Sequence, residues 1–412
     1  VYKRQVWMCF SLSAQKIIDL SGKWSFSIDR QDNGEKEKWF SHTLNDCINL
    51  PGSMPEKLKG DEVTAKTQWT GSLYDSSYYY NPYMEKYRKE GNIKFPFFLT
   101  PDKHYVGAAW YQKEVNIPAD WKGERILLFL ERPHIETTVW VNGQKTGMQN
   151  SLCVPHQYDI TRYVRPGKCT ITIRVDNRIK EINVGPDSHS ITDQTQGNWN
   201  GIVGRICLQT TPKTYFDDIQ IYPEPEQKLA RVKVVIKGTG TAKVKLSAES
   251  FNTDKKHIVP AIQQEIKLNK GVTETEMVLP MGNDMLLWDE FHPALYKLKA
   301  EVTNGKKTEI KEIQFGMRRF EIKGKWFYVN GRKTQLRGTV ENCDFPLTGY
   351  APMDVESWER VFRICRSYGL NHMRFHSFCP PEAAFMAADR VGFYLQPEGP
   401  SWPNHGPKLG LG

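Results

Sequence analysis

Three clusters of polar side chains in the last quarter of the sequence carry the chemistry it offers most directly. Glu341, Asn342 and Asp344 form the first; Arg374, His376 and Ser377 the second; Glu398, Trp402, Asn404 and His405 the third. Carboxylates and a guanidinium make paired hydrogen bonds to neighbouring hydroxyls, imidazoles donate or accept, and an indole offers a flat apolar platform. Together these groups suit a sugar. Each alone is more often a loop cap or a surface charge. Their joint position favours a site at Arg374, His376 and Glu398, and leaves Asp344, Asn404 and His405 between the two readings.

Each cluster follows a short extended run: Gln335-Leu-Arg-Gly338, Asn371-His-Met-Arg-Phe375 and Phe393-Tyr-Leu-Gln396. Between the first two, Asp354 is placed to cap a helix with Trp358, Val361, Phe362 and Cys365 on one face. Between the second and third, Pro381 opens an alanine-rich helix that stops at Gly392. Alternating strands and helices predict parallel βα units. Short parallel strands with polar C-terminal ends predict a TIM barrel, where those ends share one rim. The expectation for 318–412 is therefore the start of an incomplete (β/α)8 TIM barrel, its first two to three units.

Upstream the pattern is all-β. Over 17–213 short runs such as Arg125-Ile-Leu-Leu-Phe-Leu130 and Thr170-Ile-Thr-Ile-Arg-Val175 predict a jelly-roll β-sandwich. Asn142-Gly143 between two extended runs is a strong hairpin signal. An insertion at 60–105 holds Trp69, Tyr74, Tyr78, Tyr79, Tyr80, Tyr83, Tyr87, Phe95, Phe97 and Phe98. Its rings either fix the loop to the sandwich or line a glycan cleft. Over 214–317 alternating strands predict an immunoglobulin-like sandwich without the antibody disulfide, since no cysteine lies between Cys207 and Cys343.

Hydrophobic residues make up 39% and aromatic residues 12%, enough for several cores. The net charge of +9 is spread among acidic residues, which argues against a nucleic-acid surface. The eight cysteines form no CxxC pair, so no zinc ribbon or redox motif is readable. Val6 to Ala14 reads as the tail of a signal peptide, making 1–16 its remnant and the protein exported, periplasmic or extracellular. No other apolar run approaches the roughly 20 residues of a membrane span.

Further motifs add a resemblance. Asn371-His-Met-Arg374 followed by Asp389-Arg-Val-Gly392 resembles a signature of glycoside hydrolase family 2. Leu50-Pro-Gly52, Asn200-Gly-Ile-Val-Gly-Arg205, Leu287-Trp288 with His292-Pro293 and Leu295-Tyr296, and Asn330-Gly331 with Leu336-Arg-Gly338 are similar to other stretches of it. The resemblance implies a retaining exo-type β-glycosidase with a glycan or oligosaccharide substrate and no cofactor. The shared strand-end position, rather than the resemblance, makes Arg374, His376, Glu398, Glu341, Asp344 and Trp402 the candidate substrate-binding residues. The family's two catalytic glutamates include one in an Asn-Glu pair, and no Asn-Glu pair occurs here. Both are expected beyond Gly412, so no catalytic residue is assigned, and the chain is expected to be an N-terminal fragment, inactive alone.

Three positions depart from the family pattern. Ser377 stands where members carry histidine, with His376 one place away. Trp402 and Asn404 stand where magnesium-dependent members carry Glu and His, so no metal site is expected. The alternative function is a non-catalytic carbohydrate-binding sandwich. A third, a surface adhesin of stacked β-domains, does not account for the polar strand ends.

Overall fold

A computed structural model describes residues 16–399 apart from 69, 71–79, 95–96, 181–190, 192 and 194–196. The proposed signal remnant, Trp402, Asn404, His405, and Trp69, Tyr74, Tyr78, Tyr79 and Phe95 of the insertion lie outside the described residues, save Lys16. The chain divides into two compact units. Residues 210–335 belong to one, and 17–209 with 336–412 to the other.

Residues 17–211, all but the last two of them in the larger unit, form two antiparallel sheets. One runs in the order Ile17–Asp19, Gly201–Thr211, Arg125–Pro133 and His156–Asp159, with Gly52–Ser53 paired to Gly201–Ile202. The other runs Gln144–Asn150, Glu136–Val141, Gly167–Asp176, Ala108–Ile117, Gly22–Asp29 and Asp46–Leu50. Alternation along each strand sends one set of side chains between the sheets. Trp24, Phe26, Leu128, Val139, Val141, Ile171, Ile173, Ile202 and Leu208 meet there in one core. Asn142 and Gly143 both adopt positive φ, 50° and 76°, and Val141 pairs with Gln144. This is the two-residue hairpin expected from Asn-Gly, whose twist matches that of its strands.

The outer face of the six-stranded sheet is apolar as well. Trp110 and Trp140 lie 5.0 Å apart there, and Phe40 stacks on Trp140 at 5.2 Å. Trp110 Nε1 donates to Asp29 Oδ2 at 2.9 Å, which satisfies the buried indole.

The smaller unit is a second β-structure with long strands. Leu229–Phe251 and Ile258–Pro280 pair along nearly their full length. The first half of Leu229–Phe251 pairs with Tyr215–Glu224, and the second half with Leu295–Asn304, which pairs on to Lys307–Phe315. The sequence suggests separate strands around Val232 and Val244. The chain instead continues between them through Gly238 and Gly240, whose φ values are 159° and 85°, with a register shift at that point. Glycine permits this bend without breaking the ladder. Val232, Val234, Ile236, Val244, Leu246, Leu298 and Ala300 share its core. Three short strands, Phe320–Lys323, Trp326–Val329 and Arg332–Thr334, group with this unit.

Residues 338–396 form a parallel layer in the larger unit. Strands β1 (Gly338–Glu341), β2 (His372–Phe375) and β3 (Tyr394–Gln396) alternate with helices α1 (Val355–Ser367) and α2 (Glu382–Val391). Val340 pairs with Arg374, and Arg374 with Gln396, all in parallel. Asp354 caps α1 by accepting from Ser357 N at 2.8 Å. Gly392 ends α2 at φ 75°, donating its N–H to Ala388 O at 2.9 Å. Trp358, Phe362, Phe375, Ala384, Ala388 and Phe393 close a core between sheet and helices.

Candidate active site

The chain positions a charged cluster at the C-terminal end of β2. Arg374 Nε donates to Glu398 Oε1 at 2.5 Å, and Nη2 to Oε2 at 3.2 Å. Ser377 N donates to the same Oε2 at 2.9 Å. Ser377 reaches it from a left-handed backbone at φ 64°, a conformation that aims its N–H back towards β3. His376 Nδ1 lies 3.0 Å from Ser377 Oγ, 3.4 Å from Arg374 Nη2 and 3.6 Å from Glu398 Oε2. Arg374 first, with the Ser377 amide, holds the Glu398 carboxyl below its ordinary value. Glu398 is therefore an anion whose oxygens are occupied by the chain. It fixes the orientation of Arg374, whose guanidinium stays partly exposed.

Glu341 is carried by the neighbouring strand, and the His376 N–H donates to Glu341 O at 2.8 Å. Its side chain nonetheless belongs to another face. Glu341 is in register with Phe375, and Val340 with Arg374. Successive residues alternate sides, so Glu341 shares the side of Phe375, which packs against Trp358 of α1. There Glu341 Oε1 accepts from Cys343 N at 2.9 Å, while Oε2 and Asp344 Oδ1 are buried with no hydrogen-bond partner. Burial, then the nearby Asp344, pushes the Glu341 carboxyl up to about 7, and burial raises Asp344 too. The structure thus brings together Arg374, His376, Ser377 and Glu398, and sets Glu341 apart. Trp402 lies outside the described residues.

The sandwich meets the loops after β1 and β2. Ser53 Oγ donates to Thr348 O at 2.5 Å, and Tyr350 OH to Glu56 Oε2 at 2.9 Å. Arg132 Nη2 donates to Cys379 O at 2.6 Å, and Arg205 Nη2 to Glu382 Oε2 at 3.2 Å. Trp199 lies between His134, stacked at 4.4 Å, and Tyr350 at 5.5 Å. Asn200 ties three segments: it accepts from Tyr111 OH at 2.7 Å and donates to Gly107 O and Val175 O at 3.0 Å each. The motifs at 50–52 and 200–205 thus knit the sandwich and seat the parallel layer.

Sequence reasoning missed a buried carboxylate in the sandwich. Asp193 is fully buried, accepts from Thr70 N at 2.5 Å and sits 3.3 Å from His104 Nε2. No local pattern marks it, because its partners are distant in sequence. A wider cleft beside it is lined by Arg30, Asp61, Glu62, Lys66, His104 and Arg178. Arg30 pairs with Asp61, Lys103 with Glu62, and Arg178 with Asp176 and Asp32. Of the described rings in the insertion, Phe97 is buried against His104, whereas Tyr80 and Tyr83 are exposed.

Residues 17–212 match the family model described as glycosyl hydrolases family 2, sugar binding domain, and residues 214–318 match the model described as glycosyl hydrolases family 2. The chain belongs to glycoside hydrolase family 2. Relatives of this family 2 chain include a β-galactosidase of Thermoanaerobacter pseudethanolicus, 24% identical over 76% of the chain and 42% of the relative. A β-glucuronidase of Paenibacillus borealis is 23% identical over 94% and 59%. That of Homo sapiens is 23% identical over 93% and 57%. The family 2 chain therefore spans roughly half the length of these curated relatives. In fold it is similar to a β-glucuronidase from Ruminococcus gnavus, with TM-score 0.69 and 19% identity over 96% of the chain and 62% of that structure. It is also similar to a family 2 member from Bacteroides cellulosilyticus, with TM-score 0.67 and 20% identity over 93% and 47%.

Proposed function

We propose that this family 2 chain serves a retaining exo-acting β-glycosidase, and that its parallel layer opens a (β/α)8 barrel with the sugar site at the strand C-termini. The observation that carries this reading is the Arg374–Glu398 pair with His376 and Ser377 beside it, at the end of a parallel strand. Polar groups there converge on a rim, the position from which barrel enzymes act. The half-exposed guanidinium offers donors to a sugar hydroxyl or carboxylate, and Glu398 keeps it in place. Retaining hydrolysis needs an acid/base carboxyl and a nucleophilic carboxylate roughly 5–5.5 Å apart. In this reading neither is among residues 1–412, where no Asn-Glu pair occurs, and the substrate is a glycan with a terminal β-linked sugar.

The test is hydrolysis of aryl β-glucuronides and β-galactosides by the protein encoded by the whole reading frame that contains this sequence, with the product anomer read by NMR. Release of the β-anomer supports the reading. Saturable glycan binding without turnover on any aryl β-glycoside would make the chain part of a binding protein instead.

A further inference from the structure

Three thiols border one small cavity in the larger unit. Cys153 comes from the sandwich loop after Gln144–Asn150, Cys343 from the loop after β1, and Cys379 from the loop after β2. Arg132, His134, Trp199 and Tyr350 complete its wall. Its volume is about 50 Å³, room for a few waters and too small for a sugar ring. All three cysteines are free thiols.

The surroundings distinguish them. Cys343, half-buried and held at φ 64°, also feels Arg132 and Cys153, but burial first and then the Glu341 and Asp344 carboxyls beside it oppose a thiolate there. Cys379 has no carboxylate among the charges acting on it. Burial pushes its thiol up, Cys153 is the neighbour that acts on it most, and Arg132 pulls the other way. The Arg132 guanidinium is fixed on the Cys379 carbonyl at 2.6 Å, so a cation stands beside the pair. A nearby cation favours the thiolate, the form that attacks a disulfide.

We propose that Cys153 and Cys379 are a modification site, joined by a disulfide that pins the sandwich loop 151–155 to the loop following β2. The oxidant is a small-molecule or protein disulfide. One cysteine loses its proton and its thiolate attacks the oxidant, forming a mixed disulfide and releasing one thiol. The second thiolate then attacks the mixed disulfide at the first cysteine's sulfur, forming the Sγ–Sγ bond and releasing the second thiol. Two electrons pass to the oxidant, and the two cysteine protons end on its thiols. The link closes a long loop, which restricts the unfolded chain. It also tethers the segment that carries His376 and Ser377.

The experiment uses the protein encoded by the whole reading frame that contains this sequence, oxidised with glutathione disulfide and mapped by non-reducing peptide mass spectrometry. A cross-linked Cys153–Cys379 peptide is expected, with both cysteines protected from maleimide. Reductant should then lower Tm by about 5–10 °C in the oxidised wild type and in Cys343→Ser, and leave Cys153→Ser and Cys379→Ser unchanged. Maleimide labelling of both cysteines after oxidation, or a link from Cys153 to Cys343, overturns the proposal. So does a Cys153–Cys379 link whose reduction leaves Tm where it was. Should a serine variant fail to fold, the wild-type peptide map and melts still decide.

Discussion

Glu398 holds Arg374 at two points, Nε at 2.5 Å from Oε1 and Nη2 at 3.2 Å from Oε2, and takes the Ser377 amide at 2.9 Å as well. With its oxygens so engaged, Glu398 orients the guanidinium and has little capacity left for a sugar. Glu398→Gln keeps the shape but turns an amide NH2 towards a donor. We predict a fall of about 10–100-fold in kcat/KM in the proposed β-glycosidase. Tm should drop by less than about 2 °C, because a half-exposed pair contributes only about 1 kcal/mol. Melting curves and steady-state kinetics on the same preparation check both parts.

The raised carboxyl of Glu341 predicts a pH dependence of stability. Its folded value of about 7 lies above the ordinary carboxylate range that it has when unfolded. Between those values the folded state holds the extra proton, so stability falls as pH rises through the window and levels off above about 7. Glu341→Gln removes this dependence. The variant should gain about 1–2 kcal/mol on the wild type between pH 5 and pH 8, read from urea unfolding at each pH. A constant difference across that range would contradict the buried, partnerless Oε2.

Gly201 is the tightest point between the motifs at 50–52 and 200–205. Its φ is 152°, and a Cβ there would lie 2.5 Å from Gly52 O and 2.8 Å from Ser53 Cα. Both obstacles are backbone, so neither rotates away. Gly201→Ala is expected to cost about 2–4 kcal/mol, through backbone strain and overpacking. Gly123→Ala makes the control, since a Cβ there meets nothing within 4 Å although its φ is also positive, 83°. It should cost about 1–2 kcal/mol. Equal losses in the two variants would show that conformation alone matters at Gly201.

Local signals read well where chemistry at one position decides. Asn142-Gly143 gave its hairpin, Asp354 its cap, Gly392 its stop, and Trp358 with Phe362 their buried face. Two things escaped local reading. The bend at Gly238 and Gly240 looks like a strand end, because the neighbours that continue the ladder, such as Lys237 with Val272 and Thr241 with Lys267, are remote in sequence. The separation of Glu341 from Arg374 depends on register: both stand at strand ends, but their parity relative to the partner strand differs, and register is set by pairing. Ser377 gave no signal for its carboxylate contact, which needs a left-handed backbone and a loop that returns Glu398.

The most direct measurement is kcat/KM for an aryl β-glycoside in the proposed β-glycosidase, compared among wild type, Arg374→Lys and Arg374→Ala, with Tm taken alongside. Lysine keeps the charge and loses the two-point geometry. Losses of about 10-fold or more are expected for lysine and about 100-fold or more for alanine, with Tm within about 3 °C of wild type. Activity retained in Arg374→Ala, with Tm falling by about 5 °C or more, would make Arg374 a structural residue and contradict a sugar site at the end of β2.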